Sequence, residues 1–197
     1  EDVDALFFYR GYAYVDRKKY EEASYEFGNL LKRNSEKYRV PAHYYYGYCQ
    51  YRLENYSVAL ENILVAENDP NFKEETPLLL CRLYFLLDNC EKSTQYAEKI
   101  IASGDVKKEK AEVYKILAVC KFNNKEYAKT IELLEKHQKL SKKMTREDWY
   151  VLGMSYYNTE KYDKAVKTLA KSTSEKDKLG QNSYFHTAMS YLKLADK

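Results

Sequence analysis

Apolar positions recur along this chain at helical spacing, and the segments that carry them are separated by short polar turns at Arg17 to Lys19, Leu53 to Asn55, Asn123 to Glu126 and Asn158 to Lys161. The segments also repeat. Phe-Tyr-Arg-Gly-Tyr-Ala-Tyr at Phe8 to Tyr14 is echoed by Tyr-Tyr-Tyr-Gly-Tyr-Cys-Gln at Tyr44 to Gln50, and Tyr20-x-x-Ala23 by Tyr56-x-x-Ala59, at a period of 36 residues. A fixed period of this length dictates the architecture. Each unit is a helix pair whose apolar face only its neighbours can cover, so the pairs must stack.

Trp149-x-x-Leu152-Gly153-x-x-Tyr156, followed by Tyr162-x-x-Ala165-x-x-x-Leu169, resembles the tetratricopeptide repeat signature of a W-x-x-L-G-x-x-Y helix and an A-x-x-x-F helix. Further copies centre on Ala118, with Tyr127 opening the second helix, and on Ala188, with Tyr191 ending the motif; Gly153 lies 35 residues after Ala118 and Ala188 lies 35 after Gly153. The third copy is degenerate. Its first helix is read as Pro77 to Asp88 and its second as Ser93 to Ala102, aligned through Ala97, 38 residues after Ala59. Phe85 then stands where the other copies carry a small residue, which predicts a looser pair.

The expected fold is all-α, a right-handed superhelical solenoid of antiparallel helix pairs. One array is expected over 1–197, with pairs at 4–37, 40–71, 76–104, 110–143 and 146–174 and the first helix of a sixth at 181–197, read as a piece of a longer chain. The small residue of each first helix lets its partner helix touch, and Ala23, Ala59 and Ala165 do the same from the second helix. Tyr20, Tyr56, Tyr127 and Tyr162 should pack over the turns they follow. Thr76 before Pro77 reads as an N-cap with a first-turn proline, and Thr145-Arg146-Glu147-Asp148 as a capping box. Asn68-Asp69-Pro70-Asn71, Ser103-Gly104-Asp105 and 172–180 read as links between pairs.

Stacked pairs present a concave wall built from their first helices. With the small residue on the packed face, the positions three before, one after and four after it turn toward that groove. In the first two repeats these are Phe8, Tyr12, Val15, Tyr44, Tyr48 and Tyr51, with Arg52 beside them. The fifth and sixth repeats supply Tyr150, Met154, Tyr157, Phe185, Met189 and Leu192, the fourth Lys115, Val119 and Phe122, and the third Arg82, Leu86 and Asn89. Rigid amphipathic Tyr and adaptable Met give contact area at low entropic cost. The candidate partner-binding set is therefore Phe8, Tyr12, Tyr44, Tyr48, Tyr51, Arg52, Tyr150, Met154, Tyr157, Phe185 and Met189. The competing account is that these aromatics pack on the next pair or on one another, because 22 tyrosines cannot all bind a ligand. Some tetratricopeptide domains grip a C-terminal carboxylate with Lys and Asn on successive first helices. Phe8, Tyr12, Tyr44 and Tyr48 stand at those places here, so an apolar or aromatic segment of a protein or peptide is the expected ligand.

Composition narrows the picture. Only 6 Gly and 3 Pro in 197 residues, with 45% hydrophobic and 32% charged, favour long helices. Lys+Arg at 33 against Asp+Glu at 30 is too balanced to indicate nucleic acid or an anionic membrane as partner. A Lys-rich stretch from Val106 to Lys143, with 11 Lys to 5 Glu, has the spacing of a solvated helix face. Glu21-Glu22 and Glu74-Glu75 read as solvent faces of helix starts. Cys49, Cys81, Cys90 and Cys120 form no C-x-x-C pair and are expected to fill helix interfaces rather than bind metal. No nucleophile motif, phosphate loop or metal-ligand spacing points to an enzyme or a cofactor, and no run of 18 apolar residues points to a membrane span.

Over nearly its whole length the chain also resembles the long multi-repeat tetratricopeptide proteins of Gram-negative envelopes, notably in Lys37-Tyr-Arg-Val-Pro-Ala-His-Tyr-Tyr-Tyr-Gly-Tyr and Thr145-Arg-Glu-Asp-Trp-Tyr-Val-Leu-Gly. The resemblance implies an exported scaffold, periplasmic or outer-membrane-associated and otherwise cytoplasmic, with a part in envelope assembly. The function expected is a non-catalytic scaffold that holds a protein or peptide, the alternative being a self-assembling structural module of a larger envelope complex.

Overall fold

The computed structural model describes residues 2–103, 107–141 and 143–196. Of the expected turn at Ser103-Gly104-Asp105 only Ser103 falls within them. Val106 and Lys142 of the Lys-rich stretch, and Glu1 and Lys197, fall outside. The chain is all-α, with no strand among the described residues. In order the helices are α1 (Asp2–Asp16), α2 (Tyr20–Lys32), α3 (Arg39–Arg52), α4 (Tyr56–Ala66), α5 (Thr76–Leu86), α6 (Cys90–Ala102), α7 (Lys107–Asn123), α8 (Tyr127–Ser141), α9 (Arg146–Asn158), α10 (Tyr162–Leu169) with a 3-10 turn at Ala170–Ser172, and α11 (Lys178–Ala195). They form two compact units, Glu1–Lys99 and Ile100–Lys197, the division falling within α6.

One contact recurs in pair after pair. A Cβ placed on Gly11 would stand 2.9 Å from the Phe27 ring, one on Gly47 2.9 Å from Ile63 Cγ1, and one on Gly153 2.6 Å from Leu169 Cγ. Each clash is with the residue sixteen positions later, on the second helix. Ala23, Ala59 and Ala165, twelve positions after the same glycines, are fully buried beside it. Small side chains on both helices bring the axes close enough for these large residues to fill the seam.

The same turn closes the five pairs. Seven residues after the small position, Lys18, Glu54, Asp88, Lys125 and Glu160 adopt positive φ of 57° to 64°. The following N–H groups of Lys19, Asn55, Asn89, Glu126 and Lys161 reach back 2.8–2.9 Å to carbonyls of Tyr14, Gln50, Tyr84, Lys121 and Tyr156. This is a left-handed C-cap that satisfies the end of one helix and launches the next. None of the five is glycine, so each carries backbone strain.

The turn corrects the register of the third pair. Asp88 places its small position at Cys81 rather than Phe85, and the matching second-helix residue is Ser93 rather than Ala97. Both are fully buried, and the Ser93 hydroxyl donates to the Cys81 carbonyl at 2.9 Å. Thr130 reaches the Ala118 carbonyl at 3.4 Å from the equivalent place. Ala97 occupies the seam position one helical turn later, on the same face, which is why it mimics the true match. The third pair thus also carries a small buried residue at each seam position, and its groove positions by this register are Leu78, Arg82 and Phe85.

Two local expectations shift. Thr145 and Asp148 form the predicted capping box, with the Asp148 N–H donating to Thr145 Oγ1 at 3.3 Å and the Thr145 N–H to Asp148 Oδ2 at 2.8 Å. At α5, however, the N-cap is Glu75, and Thr76 is already helical. Cys49 and Cys81 are buried thiols as expected, Cys49 being pushed up to about 12 by burial. Cys90 and Cys120, expected only to fill helix interfaces, are disulfide-bonded.

In the second unit a buried charge cluster ties α7, α8 and α9. Asp148 is 2% exposed and accepts from Lys115 Nζ at 2.9 Å, and its Oδ2 lies 3.7 Å from His137 Nε2. His137 Nδ1 donates to the Ala111 carbonyl at 2.6 Å. The 3.7 Å separation is too long for a hydrogen bond, so ionic attraction carries that contact. Burial alone would raise the Asp148 pKa; His137, Lys115 and the Thr145 N–H outweigh it and hold the carboxyl well below the usual range. Asp148 raises the His137 pKa, against ring burial and with help from the Ala111 carbonyl. Lys115, placed by sequence in the groove, is therefore part of this strut. At the other end of the unit Arg146 Nη1 donates to Asp177 Oδ2 at 2.7 Å and Nε to the Ser172 carbonyl at 2.9 Å, while Asp177 caps α11 by accepting from the Gly180 N–H at 2.8 Å.

Two stability measurements follow from these contacts. Gly153→Leu, forced into Leu169, is expected to cost about 3 kcal/mol or more. Lys125→Gly, which relieves a left-handed residue, should raise stability by about 0.5–1 kcal/mol after the flexibility glycine adds to the unfolded chain. Urea titration at constant m-value reads both. The raised His137 pKa stabilises fully below its ordinary value of 6.5 and is lost as pH climbs through the folded value. The thermal midpoint should therefore fall between about pH 6 and pH 8, a span below thiol titration, and His137→Gln should flatten that slope.

Candidate functional site

In the first unit, the first helices of the first two pairs bring their predicted groove residues together. Tyr12, Val15 and Asp16 from the C-terminal end of α1 face Tyr44, Tyr45 and Tyr48 of α3 across an open pocket of about 400 Å³. Asn71, Phe72 and Glu75, from the segment between α4 and α5, close its third side. This segment was expected to be only a link. It is held in place by an Asx turn, the Asn71 N–H donating to Asp69 Oδ1 at 2.9 Å, and by Phe72, which is 8% exposed and stacks on Tyr44 at 4.2 Å between ring centroids.

The walls are aromatic and tightly coupled. Tyr45 is stacked on Phe27 at 5.4 Å and meets Phe8, Tyr12, Tyr44 and Phe72 edge-on at 5.2 to 6.0 Å. The sequence reading passed over Tyr45 and Phe72. Tyr45 sits two residues before Gly47, a position that packs on the preceding pair; its equivalent in the first repeat, Tyr9, is 66% exposed. The repeat alignment carried that signal. Phe72 had only a weak one, a single large aromatic in a polar turn.

The remaining predicted residues divide between packing and exposure. Phe8 is half-buried, stacked on Tyr38 at 5.0 Å, and belongs to the packed layer beneath the pocket. Tyr12 is 49% exposed at the pocket mouth. Arg52 lies 4.5 Å over the Tyr20 ring and donates to the Tyr48 hydroxyl at 3.3 Å, so its charge is directed to that side. Tyr51 packs beside Tyr56 at 6.2 Å. In the second unit Tyr157 does the same with Tyr162 at 5.7 Å and also meets His186 of α11 at 4.7 Å. Tyr150, Met154 and Met189 are half-buried. Phe185 is exposed with Tyr184, Tyr191 and Leu192, all about 60%, along one face of α11, where Ala188 also lies open.

The electrostatics of the pocket are one-sided. Burial, and then the nearby Glu75 charge, push the Tyr44 phenol up to about 12, and burial, Tyr12 and Glu75 raise Tyr45 as well. Glu75 was read as an ordinary solvent face; the fold turns it onto the pocket rim. Among the described residues no group of His, Cys, Asp and Glu could hold a metal ion, and no helix is long and apolar enough to cross a membrane. What the pocket offers chemically is contact area, phenol hydroxyls and negative charge.

Residues 87–172 match the family described as "Anaphase-promoting complex, cyclosome, subunit 3". No curated protein matches the chain in sequence. Among solved structures, MamA is similar at 18% identity and TM-score 0.69, covering 87% of this chain and 90% of that one. YrrB, described as a TPR protein with an unusual peptide-binding site, is similar at 14% identity and TM-score 0.70, covering 91% and 90%. The hetero-tetramer Cut9-Hcn1 of the APC/C is similar at 19% identity and TM-score 0.61; 98% of this chain aligns with 37% of that chain. At such identities the likeness is one of fold. The repeated helix pairs, centred on Gly, Cys or Ala, their shared turn and these likenesses together give the chain a tetratricopeptide-type fold.

Proposed function

We propose that this chain is a non-catalytic scaffold that holds a partner protein or peptide, with the pocket of the first unit as a principal contact. The observation that carries the reading is the convergence of Tyr12, Tyr44 and Tyr48, all groove positions by repeat register, on one open aromatic pocket of about 400 Å³. That volume lies within the range of ligand sites, and rigid aromatic walls lose little entropy on binding. An apolar or aromatic segment suits those walls. That YrrB is described by a peptide-binding site and Cut9 by its complex with Hcn1 agrees with such a role.

A second reading, self-association, is favoured by the exposed apolar face of α11. A periplasmic or outer-membrane-associated location remains our proposal; the disulfide-bonded state of Cys90 and Cys120 supports an oxidising compartment.

Tyr12→Ala with Tyr48→Ala should reduce capture of partners from the source cell's envelope fraction by about tenfold or more while leaving helicity intact. Tyr45→Ala should lower stability, being stacked on Phe27. Equal capture by the double variant and the parent protein would sink the pocket reading. Sedimentation that deepens with concentration, and is abolished by Phe185→Ser with Leu192→Ser, would favour self-association.

A further inference from the structure

The pocket between α1 and α3 has two carboxylates on its rim and no cation. Asp16 enters from the end of α1, and Glu75 from the N-cap of α5. Among the described residues neither has an ion-pair partner within 4 Å. Of the basic residues near it in sequence, Lys19 is paired with Glu22 at 3.4 Å, Arg52 lies on the Tyr20 ring and donates to Tyr48, and Arg17 and Lys18 do not line the pocket.

The placement of Asp16 is unfavourable for α1 taken alone. It is the last residue of that helix, where the unsatisfied carbonyls already carry partial negative charge and where a basic residue is preferred. A carboxylate on a negative helix end that shares one pocket with Glu75 and four tyrosines sets negative charge beside aromatic rings. Ring faces are themselves negative, so the walls and the rim attract the same kind of group. A guanidinium fits both at once. It stacks flat on aromatic faces and its fork donates to carboxylates, and it is more weakly hydrated than an ammonium.

We infer that this pocket receives an arginine side chain from the apolar segment of the partner, stacked against its tyrosine wall and paired with Asp16 and Glu75. The inference rests on the scaffold reading above and goes beyond it by stating what the segment must contain. Arginine then gives the site selectivity as well as steering, since rim charges act chiefly on encounter and on rejection of acidic segments.

A selection from a random heptapeptide library on the full chain tests this, run in parallel on the parent protein and on Asp16→Asn with Glu75→Gln. The parent should enrich peptides with one arginine flanked by apolar residues, and the double variant should enrich apolar peptides without it. The strongest parent peptide, resynthesised with citrulline in place of arginine, should bind the parent about tenfold or more weakly, whereas the double variant should not distinguish the two forms. Raising the salt concentration should weaken only the arginine form. Enrichment of apolar peptides with no basic residue by the parent would overturn the arginine inference and leave the scaffold reading standing. Lysine in place of arginine, with no loss on exchange, would overturn the guanidinium assignment. No enrichment above a Tyr12→Ala, Tyr48→Ala control would overturn both. Melting curves check that the double variant is folded; if it is not, Asp16→Asn alone takes its place in the same selection.

Discussion

The structure depends on the touching of two helices at a residue with almost no side chain. Gly11, Gly47 and Gly153 meet Phe27, Ile63 and Leu169, and Cys81 and Ala118 hold the same place in the pairs between. Because each first helix comes this close to its second, the turn that joins them has little freedom. It resolves into the same left-handed cap five times, on residues that are lysine, glutamate and aspartate rather than glycine. The strain at those residues is tolerated because the seam on either side fixes where the chain must reverse.

What the seam fixes, it also frees. With the second helices and one face of each first helix committed to the core, the opposite side of α1 and α3 is left to carry residues that the fold does not require. In the first unit those residues are tyrosines, and the segment before α5 folds over them. Phe72 anchors that segment on Tyr44, and in doing so presents Asn71 and Glu75 to the same hollow. Packing and binding are therefore adjacent uses of one aromatic layer: Phe8 and Tyr45 lie beneath it, Tyr12 and Tyr48 at its surface. This is why the competing accounts of the aromatics are each right about different residues.

The second unit spends its polar residues differently. Lys115, in a groove position by register, is drawn to the buried Asp148 and His137 and becomes part of the connection among α7, α8 and α9. Tyr157 is likewise taken up by Tyr162 and His186. The open apolar surface lies instead on α11, where the position that is buried in the earlier pairs, here Ala188, is exposed beside Phe185 and Leu192.

The sequence by itself determined the helix pairs, their interval, the small residues at most of their seams and the capping box before α9. All of these are consequences of periodicity, and periodicity is written in one dimension. It misplaced the third pair by one turn because Ala97 and Ser93 lie on the same helix face, and only the left-handed Asp88 and the Ser93 to Cys81 contact distinguish them. The tertiary structure decided which outward tyrosines are packed and which are open, that a turn-rich link carries Phe72 and Glu75 into the pocket, and that Lys115 belongs to a buried strut. Those outcomes depend on how far a neighbouring segment reaches across space, a distance that spacing along a single chain does not encode.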